Sequence, residues 1–518
     1  MSKLASLNPA TGELLREIDT TPTDALPEYF RKAREAQMRW SALPIRKRAA
    51  ALTSLREVML DQIDQIAELI SLENGKPRFE ALANELLPAI ELLTYFARIS
   101  PHALQDEPIP MGLMKHRQSE LTYWPLGTVA VISPWNYPFL LPFGEIVMAI
   151  TTGNAVIFKP SEITWQIGLK IQELFELAGY PTDLLQTIFG DGSLGSALIE
   201  QKPAKIFFTG SVATGKKIMA AAALHLIPVN LELGGKDAMI VLGDADLDYA
   251  TSAALWGGFS NSGQVCASVE RIIVHESIVQ DFTRLLLEKV TKLRQGNSAD
   301  QQNDLGVITL DRQKQIYEAQ LTQAKAQGAE ILCGGIFSDD RRSLQPTIIT
   351  GPKIEELDVY NEETFGPVVA ITTFRSVQQA IEKANQSKYG LLASVITKNL
   401  SLAHYIAKQL EVGTVTINEV VYTAGLPETP WGGVKNSGFG KKHSARGLQE
   451  FVNVRHIHRP RSMLFVFKSP WWFPYTEFQY ATFRKLFDLY RRSLTARIKA
   501  FPLLIWNFVQ FIKKEKRL

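Results

Sequence analysis

The chain has 518 residues, enough for two or more domains, and its 46% apolar and 21% charged composition is that of a globular protein. Only two cysteines, Cys266 and Cys333, exclude a disulfide framework or a zinc cage, and the Met1–Ala10 segment lacks the apolar run of a signal peptide, so an intracellular protein is expected. The net charge of +3 is uneven: the last 60 residues, from Arg459, hold 13 Lys/Arg against three Asp/Glu, which leaves −7 for the other 458.

In chain order, apolar residues at Leu52, Leu55, Met59, Ile63, Ile66 and Ile70 predict helices over 22–98. Leu121 to Ile132 reads as extended, with a turn at Pro125-Leu-Gly127. From Ala155 onward, strands and helices alternate. Strands are expected at 155–158, 185–189, 205–208 and 228–231, with helices near 165–178, from Ser193 and from Thr214. A second series follows, with strands near 238–242, 271–274, 368–372 and 415–417. Such alternation predicts parallel sheets with helices on both faces.

The octet Phe259-Ser-Asn-Ser-Gly-Gln-Val-Cys266 ends in one of the two cysteines, with Gly263-Gln264 reading as a turn before it. Upstream, Leu231-Glu-Leu-Gly-Gly-Lys236 carries a carboxylate at Glu232, 34 residues before the thiol. A thiol nucleophile and a nearby carboxylate base are the minimum set for covalent acyl chemistry. Pro134-Trp-Asn-Tyr-Pro138, Lys159-Pro-Ser-Glu162 and Phe208-Thr-Gly-Ser-Val-Ala-Thr-Gly215 precede these segments. Glu362-Glu-Thr-Phe-Gly-Pro367 and the Gly-rich stretch from Pro430 to Gly440 follow them. Together and in this order, the motifs resemble those of the aldehyde dehydrogenase superfamily from Asn8 to Arg455, about ninety per cent of the chain.

That resemblance implies an α/β fold: a Rossmann-like cofactor domain, an α/β catalytic domain and a small β oligomerisation element. The expected boundaries are 1–116 and 133–234 for the NAD(P)-binding domain and 235–425 for the catalytic domain. Residues 117–132 and 426–458 are expected to form an oligomerisation hairpin and C-terminal strand region, and 459–518 a basic, aromatic, amphipathic tail. The resemblance makes Cys266 the nucleophile, attacking as the thiolate, and Glu232 the base. Asn136, with the Cys266 backbone N–H, would bind the oxyanion. It assigns Lys159 and Glu162 to the adenosine ribose, Gly210 and Ser211 to the pyrophosphate, and Glu363 to the nicotinamide ribose. Phe365 and Trp135 join the same cofactor set, Phe365 beside the nicotinamide. A carboxylate at Glu162 repels a 2′-phosphate, which favours NAD, with NADP still admitted. No metal is expected. Gly190-Asp-Gly-Ser-Leu-Gly195 also fits a dinucleotide pattern and is read as a structural turn near the adenine. The chain departs from the family at Glu145, where many members carry lysine, and at Ala445, where many carry glutamate.

The implied partners are an aldehyde and further copies of the chain, as a homodimer or homotetramer; nucleic acid is not among them. The tail holds 15 of the 49 Phe, Trp and Tyr residues. Phe483, Leu486, Phe487, Tyr490, Leu494 and Ile498 follow helical spacing, and a twelve-residue apolar run, Phe501 to Ile512, precedes the basic run from Lys513 to Arg517. Twelve residues make roughly 18 Å of helix, short of a hydrocarbon core of about 30 Å. A cytoplasmic protein touching a membrane surface is therefore expected, with a lipophilic, long-chain aldehyde as substrate. Two alternatives stay open: acyl transfer or reduction through the same thioester, and a non-catalytic membrane-bound scaffold.

Overall fold

A computed structural model describes residues 2–112, 114–298, 302–466 and 468–515. The chain divides into two compact units, Met1–Leu104 with Trp124–Asn453, and Gln105–Tyr123 with Val454–Leu518.

In the first unit, the helical N-terminal region consists of Leu26–Ser41, Ile45–Asp61, Ile63–Asn74 and Leu87–Ala103. Gly75, at φ 88°, stops the third helix in the left-handed cap that glycine adopts without a Cβ penalty. Just before the last helix, Leu82–Leu86 forms a π-helical turn. Pro88 has no N–H to return to the preceding turn, so the helix widens there instead of keeping its regular ladder.

The first sheet has six strands in the order Gly438–Phe439, Val229–Glu232, Ile206–Thr209, Thr128–Ile132, Ala155–Lys159 and Leu185–Thr187. All neighbours are parallel except the Gly438–Phe439 edge. The chain runs outward in one direction from Thr128–Ile132, then returns to its other side at Ile206–Thr209. This reversal is the switch point at which doubly wound sheets bind ligands, beyond the carboxyl ends of the strands. Asn136, Lys159, Gly210, Ser211 and Glu232 all lie at or just beyond those ends.

The second sheet has seven strands: Glu330–Cys333, Thr347–Thr350, Val368–Phe374, Val269–His275, Asp237–Val241, Leu392–Ile396 and Thr414–Ile417. Every pair except the first is parallel. Here the amino ends matter, since Cys266 and Glu363 sit shortly before Val269–His275 and Val368–Phe374. Ala155–Lys159, Asp237–Val241 and Leu392–Ile396 are buried at every position, as strands covered on both faces must be.

The second unit contains most of a three-stranded sheet, Val452–Pro460 beside Arg117–Pro125 beside Glu107–Ile109, and helices Glu477–Leu486 and Leu494–Glu515.

The boundaries differ from expectation at three places. The segment 117–132 is not one hairpin: Arg117–Pro125 joins the three-stranded sheet, whereas the buried Thr128–Ile132 is a central strand of the six-stranded one. The segment 426–458 divides likewise, with Gly438–Phe439 on the edge of the six-stranded sheet. Within the tail, the stripe from Phe483 to Ile498 is not continuous. A 3₁₀ turn at Phe487–Tyr490 and the extended Arg491 interrupt it, and Leu494–Glu515 starts a new helix. The end of the basic run, from position 516, lies outside the described residues.

Candidate active site

Cys266 follows a strained turn. Asn261, Ser262 and Gly263 have φ of 49°, 54° and 70°, three consecutive left-handed residues, two of them not glycine. Each such non-glycine residue costs about 1–3 kcal/mol and persists only where its surroundings hold it. Here the Asn261 N–H donates to Glu80 at 2.8 Å, and the Ser262 hydroxyl donates to the Gly306 carbonyl at 2.9 Å. Gln264 is tied at both ends of its amide, donating to the Asn261 carbonyl at 3.1 Å and accepting from the Thr309 N–H at 2.9 Å. At Gly263 a Cβ would fall 2.1 Å from the Gly366 carbonyl oxygen, so only glycine admits this close backbone approach.

The Glu232 segment packs directly against the thiol segment. A Cβ on Gly235 would lie 2.3 Å from the Cys266 carbonyl oxygen. Burial pushes the Glu232 carboxyl up to about 7; Lys442, Lys441 and a Trp431 hydrogen bond oppose the rise, and Glu145 adds to it. Burial also pushes the Cys266 thiol up to about 12, reinforced by Asp237, Glu232 and Glu363 and opposed by Lys442. Beside Asp237, Glu232 and Glu363 a further negative charge is disfavoured, so Cys266 rests as the thiol and becomes the thiolate only as it attacks. The thiol therefore needs a base at the moment it reacts.

Asn136 packs against the segment that carries Cys266. Its side-chain amide donates to the Gln264 carbonyl at 3.0 Å, two residues from Cys266, which leaves the second amide hydrogen for another acceptor. Its backbone carbonyl accepts from Lys76 Nζ at 2.8 Å and Asn261 Nδ2 at 3.0 Å. Asn74 Nδ2 holds the adjacent Trp135 carbonyl at 2.8 Å. Lys76 is fully buried, pairs with the equally buried Glu85 at 2.7 Å, and sits 3.9 Å from the Tyr137 ring centre. Glu85 in turn accepts from the Phe139 and Leu140 N–H groups at 2.9 and 3.1 Å. The Trp135–Leu140 loop is thus gripped along its length by one buried ion pair.

The cofactor candidates line the carboxyl ends of the first sheet. Ser211 caps the helix Val212–Ala223, accepting from the Thr214 N–H at 3.3 Å. The first N–H groups of that helix have no partner within it, a ready anion site. A Cβ on Gly210 would lie 2.5 Å from the Phe208 ring, so the backbone can pass there only as glycine. Buried Lys159 stands 3.7 Å from exposed Glu162. Glu363 is half-buried and accepts from the Gly235 N–H at 3.0 Å; desolvation first, then Glu270, pushes it up to about 8. Phe365, at φ 56°, meets Trp135 edge to face at 5.5 Å. Its loop is fixed by Glu270, which accepts from the Thr364 and Phe365 N–H groups at 2.9 Å and pairs with Lys236. Gly190 and Gly195 frame a helix start capped by Asp191, with Gly195 beside the Lys159 side chain.

A pocket of about 850 Å³, including its mouth, is lined by Cys266 and by apolar side chains that include Tyr137, Leu140, Met148, Trp256, Val265 and Val421. Among the described residues, the charged groups that line it are Glu145 and Lys442, paired at 2.6 Å. The departure at Glu145 is therefore compensated: Lys442, 297 positions away, supplies the opposite charge. His443 also lines the pocket, and burial, with Lys442 nearby, lowers its imidazole to about 4. No sequence pattern points to Lys76, Lys442 or His443, whereas Asn261 lies inside the octet that ends at Cys266.

The sequence model of the aldehyde dehydrogenase family matches residues 1–457. The chain is similar to a 4,4'-diapolycopene aldehyde oxidase from a Methylomonas species, at 39% identity over 490 residues that cover 94% of this chain and 91% of that protein. It is also similar to betaine aldehyde dehydrogenase from Staphylococcus aureus, solved in complex with NAD+, with a TM-score of 0.84 and 32% identity, covering 90% of this chain and 94% of that one. Since the family match spans both sheets and every segment of this site, the chain belongs to the aldehyde dehydrogenase family.

Proposed function

We propose that this protein oxidises a lipophilic, long-chain aldehyde to the carboxylic acid with NAD. The observation that carries the substrate class is the pocket ending at Cys266: its lining is apolar apart from a self-neutralising Glu145–Lys442 pair and a few polar groups. The name of the diapolycopene aldehyde oxidase relative, a long apolar aldehyde in its substrate, supports the same reading.

The residues present fit NAD. A glycine cradle and a helix N-terminus at Gly210 and Ser211 suit a pyrophosphate, and Lys159 with Glu162 suits the adenosine ribose. Glu363 would hold the second ribose, with Trp135 and Phe365 beside the nicotinamide. Glu162 disfavours a 2′-phosphate without forbidding NADP. When bound, NAD supplies the hydride acceptor.

The protein groups do the rest. Glu232 takes the Cys266 proton as sulfur bonds to the aldehyde carbon, and the carbonyl electron pair moves to oxygen. That oxygen is met by the second Asn136 amide hydrogen and the Cys266 backbone N–H. Once the carbon is oxidised to a thioester and Glu232 has passed its first proton to solvent, Glu232 deprotonates the water that displaces sulfur, that proton returns to the leaving thiolate, and the acid leaves. Lys76 acts on this step only through Asn136. Lys76→Met should lower kcat by about a hundredfold with KM little changed, and Lys76→Arg should recover part of the loss. A rise in KM alone would remove Lys76 from this role.

The tail supplies the second half of the proposal, a peripheral membrane contact in a protein that assembles as a homodimer or homotetramer. Among the described residues no helix is long and apolar enough to cross a membrane. Yet Phe473, Phe487, Phe501, Ile505, Trp506 and Val509 are all exposed in a segment carrying +10. Aromatic anchors with excess basic charge suit an anionic bilayer surface.

One experiment tests both halves: NADH formation with aldehydes of increasing chain length, using full-length protein and a truncation after Pro460. Activity should rise with chain length, and only the full-length form should float with anionic liposomes. Turnover confined to short aldehydes would defeat the lipophilic assignment, and flotation of the truncated form would defeat the tail's role.

A further inference from the structure

His443 takes no part in the steps above, yet it lines the same pocket as Cys266. It is only 7% exposed, and its Nδ1 has no hydrogen-bond partner among the described residues. A buried ring nitrogen left unpaired has given up its water for nothing. The Leu426 carbonyl bears on the ring, but less than burial and Lys442 do. Gly144, on the helix Leu140–Thr151, lines the pocket too, and a Cβ there would stand 3.8 Å from His443 Nε2. With no side chain at 144, that edge of the imidazole is left open toward the pocket.

The backbone adds an independent sign. His443 has φ 58° and ψ 173°, a conformation that glycine alone adopts without strain, and Ser444 follows at φ 56°. The bend is held from both sides. Lys442 exchanges two backbone hydrogen bonds with Trp431, at 2.8 and 2.9 Å, and the Ser444 N–H donates to the Pro427 carbonyl at 2.7 Å. Glycine would fit here at no steric cost. A strained side chain with an unpaired nitrogen in the pocket wall finds its partner outside the chain.

We propose that His443 determines specificity by hydrogen-bonding an oxygen carried along the substrate's chain, a hydroxyl or a second carbonyl, so that the preferred substrate is an oxygenated long-chain aldehyde.

The assignment rests on the lipophilic reading of the same pocket. Burial and Lys442 lower His443 to about 4, so the ring is neutral near pH 7 and offers one N–H donor and one acceptor. A hydroxyl can meet either nitrogen, and a carbonyl only the N–H. An unsubstituted chain leaves the nitrogen unpaired, which is where the discrimination comes from. Because Cys266 holds the aldehyde carbon and His443 the second oxygen, the position of that oxygen along the chain is selected as well.

The experiment compares kcat/KM for aldehydes of one chain length, unsubstituted or with a hydroxyl or keto group at successive carbons. In wild type the oxygenated set should peak at one position, about tenfold above the unsubstituted aldehyde. His443→Leu should remove the peak and turn the preference toward the unsubstituted chain. His443→Asn tolerates a positive φ and keeps a donor and an acceptor, so it should restore part of the peak. Gly144→Ala should weaken the peak with residue 443 intact, and for it only Leu92 Cδ1, at 3.1 Å, has to give way. A flat wild-type profile, which needs no variant, or a peak that survives His443→Leu would overturn the proposal, the imidazole then holding solvent only. Variants that lose turnover on every aldehyde alike would make His443 a structural residue and overturn it too. A second readout needs no turnover: protection of Cys266 from iodoacetamide by long-chain fatty acids hydroxylated at the same positions. A protection peak without oxidation of any aldehyde would leave the subsite standing and end the oxidation reading. Oxidation with no peak in either readout would do the reverse.

Discussion

Cys266→Ala is expected to abolish aldehyde-dependent NADH formation, a loss of at least about four orders of magnitude, while NAD still binds. The size follows from the chemistry: sulfur forms the bond that makes the carbon a hydride donor, and no other thiol lies in the pocket. Cys333, the second cysteine, sits on the antiparallel edge strand of the other sheet. Alanine at 266 keeps the backbone N–H and the strained turn, so binding on the first sheet should be untouched. NADH production monitored by absorbance, alongside NAD titration by calorimetry, separates the two effects. Turnover within tenfold of wild type would end the nucleophile assignment.

Glu232→Gln should cost about 10²- to 10⁴-fold in steady-state turnover. The amide keeps the shape of the carboxyl but cannot take a proton from the thiol or from water. Because burial raises Glu232 to about 7, the wild-type enzyme should lose activity as pH falls through that value, when the base becomes protonated and idle. In the glutamine variant this limb should disappear. Mass spectrometry of the variant quenched after long-chain aldehyde and NAD should find an acyl group on Cys266 if hydrolysis is the impaired step. Free enzyme with a normal pH limb would place the base elsewhere.

Much of the fold was legible because its signals are local. The alternation from Ala155 onward predicted the parallel strands to within a few residues, since strands covered on both faces read as unbroken apolar runs. Glu330–Cys333, Thr347–Thr350 and Leu392–Ile396 were not among the expected strands. Thr128–Ile132 was misassigned. Its sequence is extended whether it pairs at an oligomer edge or at the centre of a sheet, and only its neighbours decide.

By itself the sequence determined the chemistry each segment can offer: a thiol after a turn, a carboxylate before paired glycines, a glycine cradle at a helix start, a basic aromatic tail. These are properties of adjacent residues, and adjacency survives without a fold. Only the tertiary structure decided what each group meets and how strongly it holds its proton. Folding clamps Asn136 with Lys76, brings Lys442 onto Glu145, and pushes Cys266 toward the thiol and Glu232 toward neutrality. The physical reason is that desolvation and Coulomb energy depend on everything packed around a charge, and those neighbours come from positions hundreds of residues apart.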